Sequence, residues 1–229
     1  MRWSYFVKWA GLLPAALTAV LMTGCASHQE ITKGEAFPKM YEEDPRSILV
    51  LPAMNESTAA DAKDYYATTI EMPIAQTGYY VFPMEMVSDV LKQEGVYDTE
   101  LLYSLPPEKF YDYFGADVVM FTKIKKWDVA YAVVASSLTV TIESEAYSTK
   151  TGEKLWSYDG SITVDLSGGN SGGSLAGLLV QAVATAVNTA AADYVEYARV
   201  ANARLFFALP AGPYHPMHQI DQDVVIRKR

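Results

Sequence analysis

A short apolar run near residue 50 places the strongest constraint on the fold. The stretch Ser47-Ile48-Leu49-Val50-Leu51-Pro52 is continuously apolar between its serine and its proline. A run of this length without polar alternation is typical of a strand that is buried on both faces. Such a strand needs a packing layer on each side, so the sequence predicts a sheet that is covered by helices.

Proline and glycine divide the rest of the chain into further elements. Helical spacing over Met84–Gln93 predicts a helix, and clean alternation over Ser137–Ser148 predicts a strand with one solvated face. A turn at Thr149–Gly152 joins that strand to the next in a hairpin. The other predicted elements are the helices Ala59–Thr77, Pro106–Phe114 and Leu175–Asn202, and the strands Tyr79–Phe82, Ala116–Asp128 and Glu153–Asp165.

The order of these elements predicts the fold class. The order β-α-β-α-α-β-β-β-α begins with a βαβ unit, which implies parallel pairing, and continues with a meander, which implies antiparallel pairing. We therefore expect an α/β (α+β) domain over residues 46–209, with a mixed β-sheet covered by helices. A glycine-rich loop, Ser167–Ser174, precedes the last helix, and Pro73 is expected to break or kink the end of the first helix.

A targeting segment precedes this domain. Residues 1–24 combine two basic residues near the start with an uncharged stretch of 14 residues, Trp9–Met22. The sequence Leu21-Met22-Thr23-Gly24-Cys25 then resembles a lipobox, with Met22 in the place where leucine is usual. A non-lipidated signal peptide and a membrane-spanning anchor are the alternatives, although a spanning helix needs roughly 20 apolar residues. The sequence thus predicts a lipoprotein signal peptide over 1–24 and lipid attachment, with palmitate, at Cys25.

The residues on either side of the domain predict how it is held. Ala26 follows the cysteine in place of the aspartate that retains lipoproteins in the inner membrane, which favours the outer membrane with the domain in the periplasm. Several acyl chains would make the attachment stable. Residues 25–45 are polar and contain Gly34 and Pro38, so we expect a flexible tether there. Residues 210–229 are expected to form a C-terminal tail.

Charge and cysteine content restrict the function. The formal net charge is -9, and removal of the two basic residues of the signal segment takes it to -11. A chain this acidic is a poor match for polyanions, so no nucleic-acid partner is expected. The single cysteine cannot form an internal disulfide.

Few residues of the sequence are candidates for catalysis or metal binding. His215 and His218, with Asp221 nearby, are the one candidate metal pair, but Pro216 argues against a helix that would place both imidazoles on one face. His28 lies in the expected tether. Because no histidine accompanies a plausible nucleophile, the sequence predicts no catalytic residue, no metal and no cofactor. The glycine-rich loop lacks the lysine of a phosphate-binding loop and is interpreted as a connector.

Several motifs together resemble a known family. They are Ser47–Asn55, Gly78-Tyr79-Tyr80-Val81-Phe82-Pro83, Phe114-Gly115-Ala116-Asp117 and Trp127. They are similar to the DUF799, or GNA1162-like, family of small Gram-negative lipoproteins, over roughly Ala36 to His218. The resemblance implies a fold similar to the amino-terminal domain of TolB and, more loosely, to the curli-secretion lipoprotein. The one functional residue that the resemblance implies is Cys25, as the site of lipid attachment.

Two features suggest interaction with other proteins. The 16 tyrosines include adjacent or near-adjacent groups at Tyr65–Tyr66, Tyr79–Tyr80 and Tyr111–Tyr113, which suit either an interface or the seams between helices and sheet. The uncharged stretch Leu175–Ala192 suits a helix buried against the sheet, with a membrane segment or a partner-binding helix as alternatives.

Three functions are compatible with these observations. The first is a non-enzymatic outer-membrane lipoprotein that acts as an assembly or accessory factor by binding other envelope lipoproteins or outer-membrane proteins. The second is an oligomeric secretion-pore subunit in which Trp127–Tyr147 forms a membrane hairpin, although its many polar residues interrupt a lipid-facing band. The third is a hydrolase or metalloenzyme that uses the histidine pair.

Overall fold

The computed structural model describes residues 29–131, 136–165 and 194–228. The predicted signal segment, Cys25, His28, the predicted glycine-rich loop and most of the predicted last helix lie outside these ranges. The strands are β1 Gln29–Thr32, β2 Ser47–Val50, β3 Met54–Asn55, β4 Tyr80–Val81, β5 Val118–Tyr131, β6 Ser136–Ser148, β7 Lys154–Asp165 and β8 Val225–Lys228. The helices are α1 Lys33–Ala36, α2 Pro38–Glu43, α3 Ala62–Gln76, α4 Met84–Gln93, α5 Thr99–Leu102, α6 Glu108–Phe114 and α7 Tyr194–Leu205, followed by a 3-10 turn at Phe206–Ala208.

The main sheet has six strands and mixed direction. Its order is β4-β2-β5-β6-β7, with β3 beside β5 where the chain continues past β2. Strands β4, β2 and β5 are parallel, whereas β5, β6 and β7 are antiparallel. This confirms the predicted α+β class, with parallel pairing early in the chain and an antiparallel meander later.

Strand β2 is buried on both faces, as its composition predicts. Ile48 and Val50 point into a core shared with α3 and α7, while Leu49 points into a second core beneath α4, α5 and α6. All three side chains are fully buried. The alternation of a strand therefore places successive residues in two different cores, and a polar residue at any of these positions would be buried without a partner.

The long hairpin β5–β6 forms the middle of the sheet. Its side chains Trp127, Val140 and Ile142 are buried in the core under α3 and α7. The apolar side chains that a lipid-facing band would require are thus already used to pack helices. This packing gives no support to the interpretation of Trp127–Tyr147 as a membrane hairpin. Among the residues that the structure describes, no helix has the length and hydropathy to cross a bilayer.

The segment before the domain is folded from Gln29 onward, so the tether predicted over residues 25–45 is wrong over most of its length. Thr32 and Glu35 form a capping box at the start of α1, and β1 pairs with β8. The Lys33 ammonium donates to the Asp221 carboxylate at 3.0 Å and to the Leu209 carbonyl oxygen at 2.9 Å. These partners lie at the other end of the chain, so local composition could not reveal them.

The C-terminal segment is likewise packed on the domain, which corrects the prediction of a tail over 210–229. The amide of Gly212 donates to the Thr77 carbonyl at 2.8 Å, and the amide of Tyr214 donates to the Gly78 carbonyl at 3.0 Å. Gly78 has φ +90, and a Cβ atom there would lie 2.5 Å from His215. Glycine is therefore needed at position 78 for the close approach of the C-terminal segment.

Pro73 does not end α3, which continues to Gln76. The proline ring is buried, and the helix passes through it by giving up one backbone hydrogen bond. Helix α4 has the predicted bounds, and α6 ends at Phe114 with Gly115 in the left-handed conformation.

Candidate interaction surface

The histidines suggested by the sequence take structural roles. His215 Nδ1 accepts a hydrogen bond from the Met217 amide at 3.0 Å. His218 contacts the Ala211 carbonyl oxygen through Nδ1 and Asp44 through Nε2, both at 3.2 Å. The neighbouring Asp221 is engaged by Lys33 instead. In the described ranges, no three histidine, cysteine or acidic side chains are grouped so that they could hold a metal ion.

A concave site among the described residues lies on the face of the sheet covered by α4, α5 and α6. It is a cleft of about 420 Å³ between strands β5 and β6 and the segment joining α5 to α6. Its lining combines apolar and aromatic side chains with three charged ones: Met54, Tyr103, Leu105, Pro107, Phe121 and Tyr147, with Lys123, Glu143 and Glu145.

Tyr103 holds the helical wall of the cleft against the sheet. The Tyr103 hydroxyl accepts from the Thr122 amide at 2.8 Å and donates to the Thr122 carbonyl oxygen, which ties the helical side of the cleft to β5. Burial raises the pKa of Tyr103 to about 12, so the hydroxyl keeps its proton at any physiological pH.

Phe121 forms the aromatic base of the cleft. It makes edge-to-face contacts with Tyr103, Phe110 and Tyr147, at centroid distances of 5.2, 5.8 and 5.8 Å. Edge-to-face packing fixes the ring orientations, because the positive edge of one ring meets the negative face of another. The base of the cleft is therefore a packed cluster of four aromatic rings.

Charged side chains line the sheet side of the cleft. Glu145 accepts from Lys154 at 2.5 Å and from the Tyr147 hydroxyl at 2.9 Å, and Lys125 lies 3.2 Å from Glu143. Burial alone would raise the pKa of Glu145, but the hydrogen bonds from Lys154 and Tyr147 outweigh it and lower the pKa. Glu145 is therefore an anion at neutral pH.

Lys123 differs from the other lysines on this strand. Within the part of the chain that the structure describes, no carboxylate lies within ion-pair distance of its ammonium group, whereas Lys125 pairs with Glu56 at 2.7 Å and with Glu143. Lys123 is half-buried and lines the cleft. It offers a cation to a group entering from solvent.

The sheet surface beyond the cleft is polar. Across β6 and β7, Thr139 pairs with Thr163 at 3.1 Å between hydroxyls, and the Thr141 hydroxyl donates to Ser161 at 2.9 Å. These cross-strand pairs occupy the solvated face predicted for Ser137–Ser148. The site thus combines an apolar base, a cation, two carboxylates and an adjoining polar sheet surface.

The tyrosine groups are divided between core and surface. Tyr66 and Tyr79 are buried, and their hydroxyls donate to Thr122 Oγ1 at 2.8 Å and to the Pro210 carbonyl oxygen at 3.0 Å. Tyr80, Tyr111 and Tyr113 are exposed. The burial of Tyr66 and Tyr79 fits their interpretation as core residues, and the interface interpretation stays a prediction for the exposed tyrosines.

The exposed tyrosines form part of an aromatic edge. Tyr80 on the edge strand β4 contacts Phe82 at 5.1 Å, Phe82 contacts Phe114 at 6.3 Å, and Phe114 contacts Tyr113 at 6.5 Å between centroids. A strand of two residues with large side chains offers little backbone for pairing with another chain, which protects this edge of the sheet.

Sequence reasoning missed the cleft. Tyr103, Phe121 and Lys123 belong to different elements or to an unremarkable strand, and no motif joins them. The one usable signal was the alternation that places Glu143 and Glu145 on the solvated face of β6, next to apolar neighbours on β5.

Comparison with known proteins identifies relatives over most of the chain. The family model described as "Putative lipoprotein GNA1162-like" matches residues 36–213. The "Putative lipoprotein NMB1124/NMB1162" of Neisseria meningitidis serogroup B is 29% identical over 177 residues, covering 77% of this chain and 81% of that protein.

Solved structures give a consistent result for the fold. The crystal structure of lipoprotein GNA1162 from Neisseria meningitidis is similar with a TM-score of 0.50 and 31% identity, covering 63% of this chain and 96% of that one. The PelC dodecamer from Paraburkholderia phytofirmans reaches a TM-score of 0.43 at 12% identity, covering 73% of this chain and 91% of that one. That distance is too great for its assembly state to be carried over.

Proposed function

Because the chain belongs to the GNA1162-like lipoprotein family, we propose that it is an accessory factor that is lipidated at Cys25 and held at the outer membrane. In this proposal the folded domain lies in the periplasm and binds another envelope protein through the cleft, without catalysing a reaction. The observation that carries it is the cleft itself, a preformed apolar platform with charged groups of both signs.

The anchor is supported by sequence and family together. The segment Leu21–Cys25 resembles a lipobox, and the family is one of lipoproteins. Ala26 supports transfer to the outer membrane.

The cleft suits a protein partner better than a small metabolite. Its base is formed by Phe121, Leu105 and Pro107, which would accept an apolar or proline side chain. Lys123 would pair with an acidic group of the partner, and Glu143 with a basic one. The polar sheet surface next to the cleft would accommodate the remainder of an extended segment.

A non-enzymatic role is supported by the arrangement of the reactive groups. In the described residues, His215 and His218 hold turns of the C-terminal segment rather than face a nucleophile. The cleft contains no histidine, serine or cysteine among its lining residues. Glu143 and Glu145 are both engaged by lysines, which suits recognition of charge rather than proton transfer.

Site-specific photocrosslinking in intact cells tests the proposal. A photoreactive amino acid at Leu105, in the cleft, is compared with one at Tyr97, which is 81% exposed and lies outside it. We expect a discrete crosslinked envelope protein from position 105 and not from position 97. Equal labelling of the same proteins from both positions would contradict the proposal.

A charge variant makes the test sharper. Lys123→Glu should reduce the crosslink from position 105 by about tenfold, because the cation would be replaced by a repelling charge. Lys126→Glu makes the same change at a lysine that does not line the cleft and should leave the yield unchanged. An unchanged crosslink in Lys123→Glu would remove the cleft from the proposal.

A further inference from the structure

The floor of the cleft presents an aromatic ring and a cation from the same strand. Phe121 and Lys123 are two residues apart in β5, and both line the cleft. Thr122 and Ile124, which alternate with them, are buried on the other face of the sheet. Because an antiparallel strand rises about 3.4 Å per residue, the side chains of Phe121 and Lys123 leave the sheet about 7 Å apart.

The carboxylates around Lys123 are paired with other lysines. Lys123 lies opposite Glu143 in the register of β5 and β6, but the Glu143 carboxylate is 3.2 Å from the Lys125 ammonium. Glu145 forms its ion pair with Lys154. Among the described residues that line the cleft, Lys123 is therefore the charged side chain without an ion pair. Its half-buried ammonium keeps a positive potential in the cleft, which favours a carboxylate entering from outside.

The apolar surface at Phe121 is short on the sheet side of the cleft. Glu145 lies opposite Phe121 on β6, one strand spacing or about 4.8 Å away, and Lys123 limits the apolar surface along β5. On the helical side, Leu105 and Pro107 form the wall. The space over Phe121 thus suits a single large apolar side chain from a bound segment.

The sheet surface next to the cleft favours an extended segment over a helix. The register continues from Glu143 to Asp159 and from Glu145 to Ser157 on β7, so this surface is polar. A helix lying on a sheet buries an apolar stripe at i, i+3, i+4 and i+7, for which this surface offers no partner.

The spacing of the two floor residues sets the spacing in the bound segment. In an extended chain, residues two apart are about 7 Å apart and point to the same side, which matches Phe121 and Lys123. A polyproline II segment instead brings residues three apart to one side, about 9 Å from each other.

We propose that the cleft recognises an extended segment in which an aspartate or glutamate stands two positions from a large apolar residue. The apolar side chain contacts Phe121, and the carboxylate pairs with the Lys123 ammonium. Either order of the two residues satisfies the spacing, because the segment can run in either direction along β5. This inference rests on the proposed function, in which the cleft binds an envelope protein, and adds the feature by which that partner is selected.

Fluorescence anisotropy with labelled peptides tests the recognition. Short glycine-serine peptides carry Leu-Ala-Glu or the reversed Glu-Ala-Leu and are titrated with the full chain bearing Cys25→Ser. We expect one of these orders to bind about tenfold more tightly than its counterpart with lysine in place of glutamate. It should exceed peptides in which leucine and glutamate stand three or four positions apart by a similar factor. No binding of either order, or equal binding at all spacings, would overturn the proposal.

A charge exchange identifies the residue that reads the acidic group. Lys123→Glu should reverse the preference, so that the lysine peptide binds more tightly than the glutamate peptide. Lys123→Gln should remove the preference and places no new charge opposite Glu143, so it serves if Lys123→Glu does not fold. Lys126→Glu changes an exposed lysine outside the cleft and should keep the wild-type preference. A glutamate preference that survives in Lys123→Gln would overturn the role of Lys123.

The outcomes separate this inference from the proposed function. A discrete crosslink from position 105 in cells, together with peptides that bind regardless of charge and spacing, would overturn the recognition and leave the proposed function standing. Peptide binding that depends on spacing and charge, without a crosslinked envelope protein, would keep the recognition and overturn the proposed class of partner.

Discussion

At the scale of single residues, a few buried polar side chains connect parts of the chain that are far apart in sequence. The Tyr103 hydroxyl bonds to both backbone groups of Thr122, and Asp221 neutralises Lys33 across 188 positions. Such groups stabilise only while every partner is present, because a buried donor or acceptor without a partner is costly. Their removal should therefore have larger effects than their individual hydrogen bonds suggest.

The Tyr103 hydroxyl gives the first prediction. Tyr103→Phe leaves both the amide and the carbonyl oxygen of Thr122 without this partner and should lower the free energy of unfolding by about 1–3 kcal/mol. The measurement is the urea midpoint of the chain carrying Cys25→Ser. Tyr97→Phe removes an exposed hydroxyl and should change stability by less than about 0.5 kcal/mol. Equal effects of the two variants would contradict the role assigned to Tyr103.

The second prediction concerns Asp221, which accepts from Lys33, from the Tyr41 hydroxyl at 2.9 Å and from the Ala211 amide at 3.0 Å. Asp221→Ala should cost about 3–5 kcal/mol, because the Lys33 ammonium stays buried without a counterion. The double variant Lys33→Met/Asp221→Ala should be more stable than Asp221→Ala, since it removes the unpaired charge. Additive losses in urea unfolding would show that the two residues are not coupled.

At the scale of elements, Asp117 explains one of the family motifs. It precedes β5, and its carboxylate accepts from the amides of Arg46 and Ser47 at 3.0 and 3.2 Å and from Lys150 at 2.6 Å. One side chain thus aligns the starts of two neighbouring strands with the turn after β6. The preceding Gly115, with φ +64, ends α6 so that the chain can enter β5 at this point.

Asp117 predicts a pH dependence. Burial alone would raise its pKa, but the hydrogen bonds from Lys150, Arg46 and Ser47 outweigh it, so the pKa lies below the ordinary value of 3.8. A lowered folded-state pKa gives stability that is present above the unfolded pKa and is lost as pH falls through the folded value. Asp117→Asn should therefore lower the urea midpoint at pH 7, and the difference from wild type should shrink below about pH 4. A difference that is constant with pH would contradict this.

Gly78 and Gly95 offer a matched comparison of two glycines with positive φ. Gly78→Ala combines an unfavourable φ of +90 with a Cβ that would lie 2.5 Å from His215, whereas Gly95→Ala has φ +81 and open space around it. We expect a loss of about 1 kcal/mol at Gly95 and a clearly larger loss at Gly78. Hydrogen exchange should rise at the Gly212 and Tyr214 amides in Gly78→Ala alone. Equal losses would mean that the C-terminal segment can move aside freely.

These elements also show what the sequence could predict. Helix α4 and strands β6 and β7 were predicted to within one residue, because their periodicity is strong and their caps are local. The elements β1, α1 and α2 were missed, since Thr32–Glu43 has no clear apolar period and is held by partners such as Asp221 and Val224. The cleft was missed for the same reason, because Tyr103 and Phe121 meet only through the tertiary fold.

At the scale of the whole molecule, the two ends of the chain form one unit. From the sequence alone they are predicted to be a tether and a tail, because each segment is polar and has no regular apolar period. Paired, they bury Ile226 and close the core formed by Phe37, Met40 and Leu209. The described residues on either side of the sheet, 29–45 and 210–228, therefore belong to the same folded unit as the sheet.

This arrangement predicts that β1 stays folded only while β8 is present to pair with it. Deleting residues 225–229 removes the backbone partners of β1, so Gln29–Thr32 should detach although none of its own residues has changed. Hydrogen exchange at the Ile31 amide should then rise by a factor of ten or more, whereas the Lys33 amide keeps its partner Val224 and should change less. Amides in the centre of β5, such as that of Met120, should keep their protection, because the six-stranded sheet has no contact with the deleted strand through its ladders. Deleting residues 26–28 shortens the same end without removing any pairing residue and should leave exchange in β8 unchanged. If the deletion left exchange at Ile31 unchanged, pairing with β8 would not be what holds β1 on the domain.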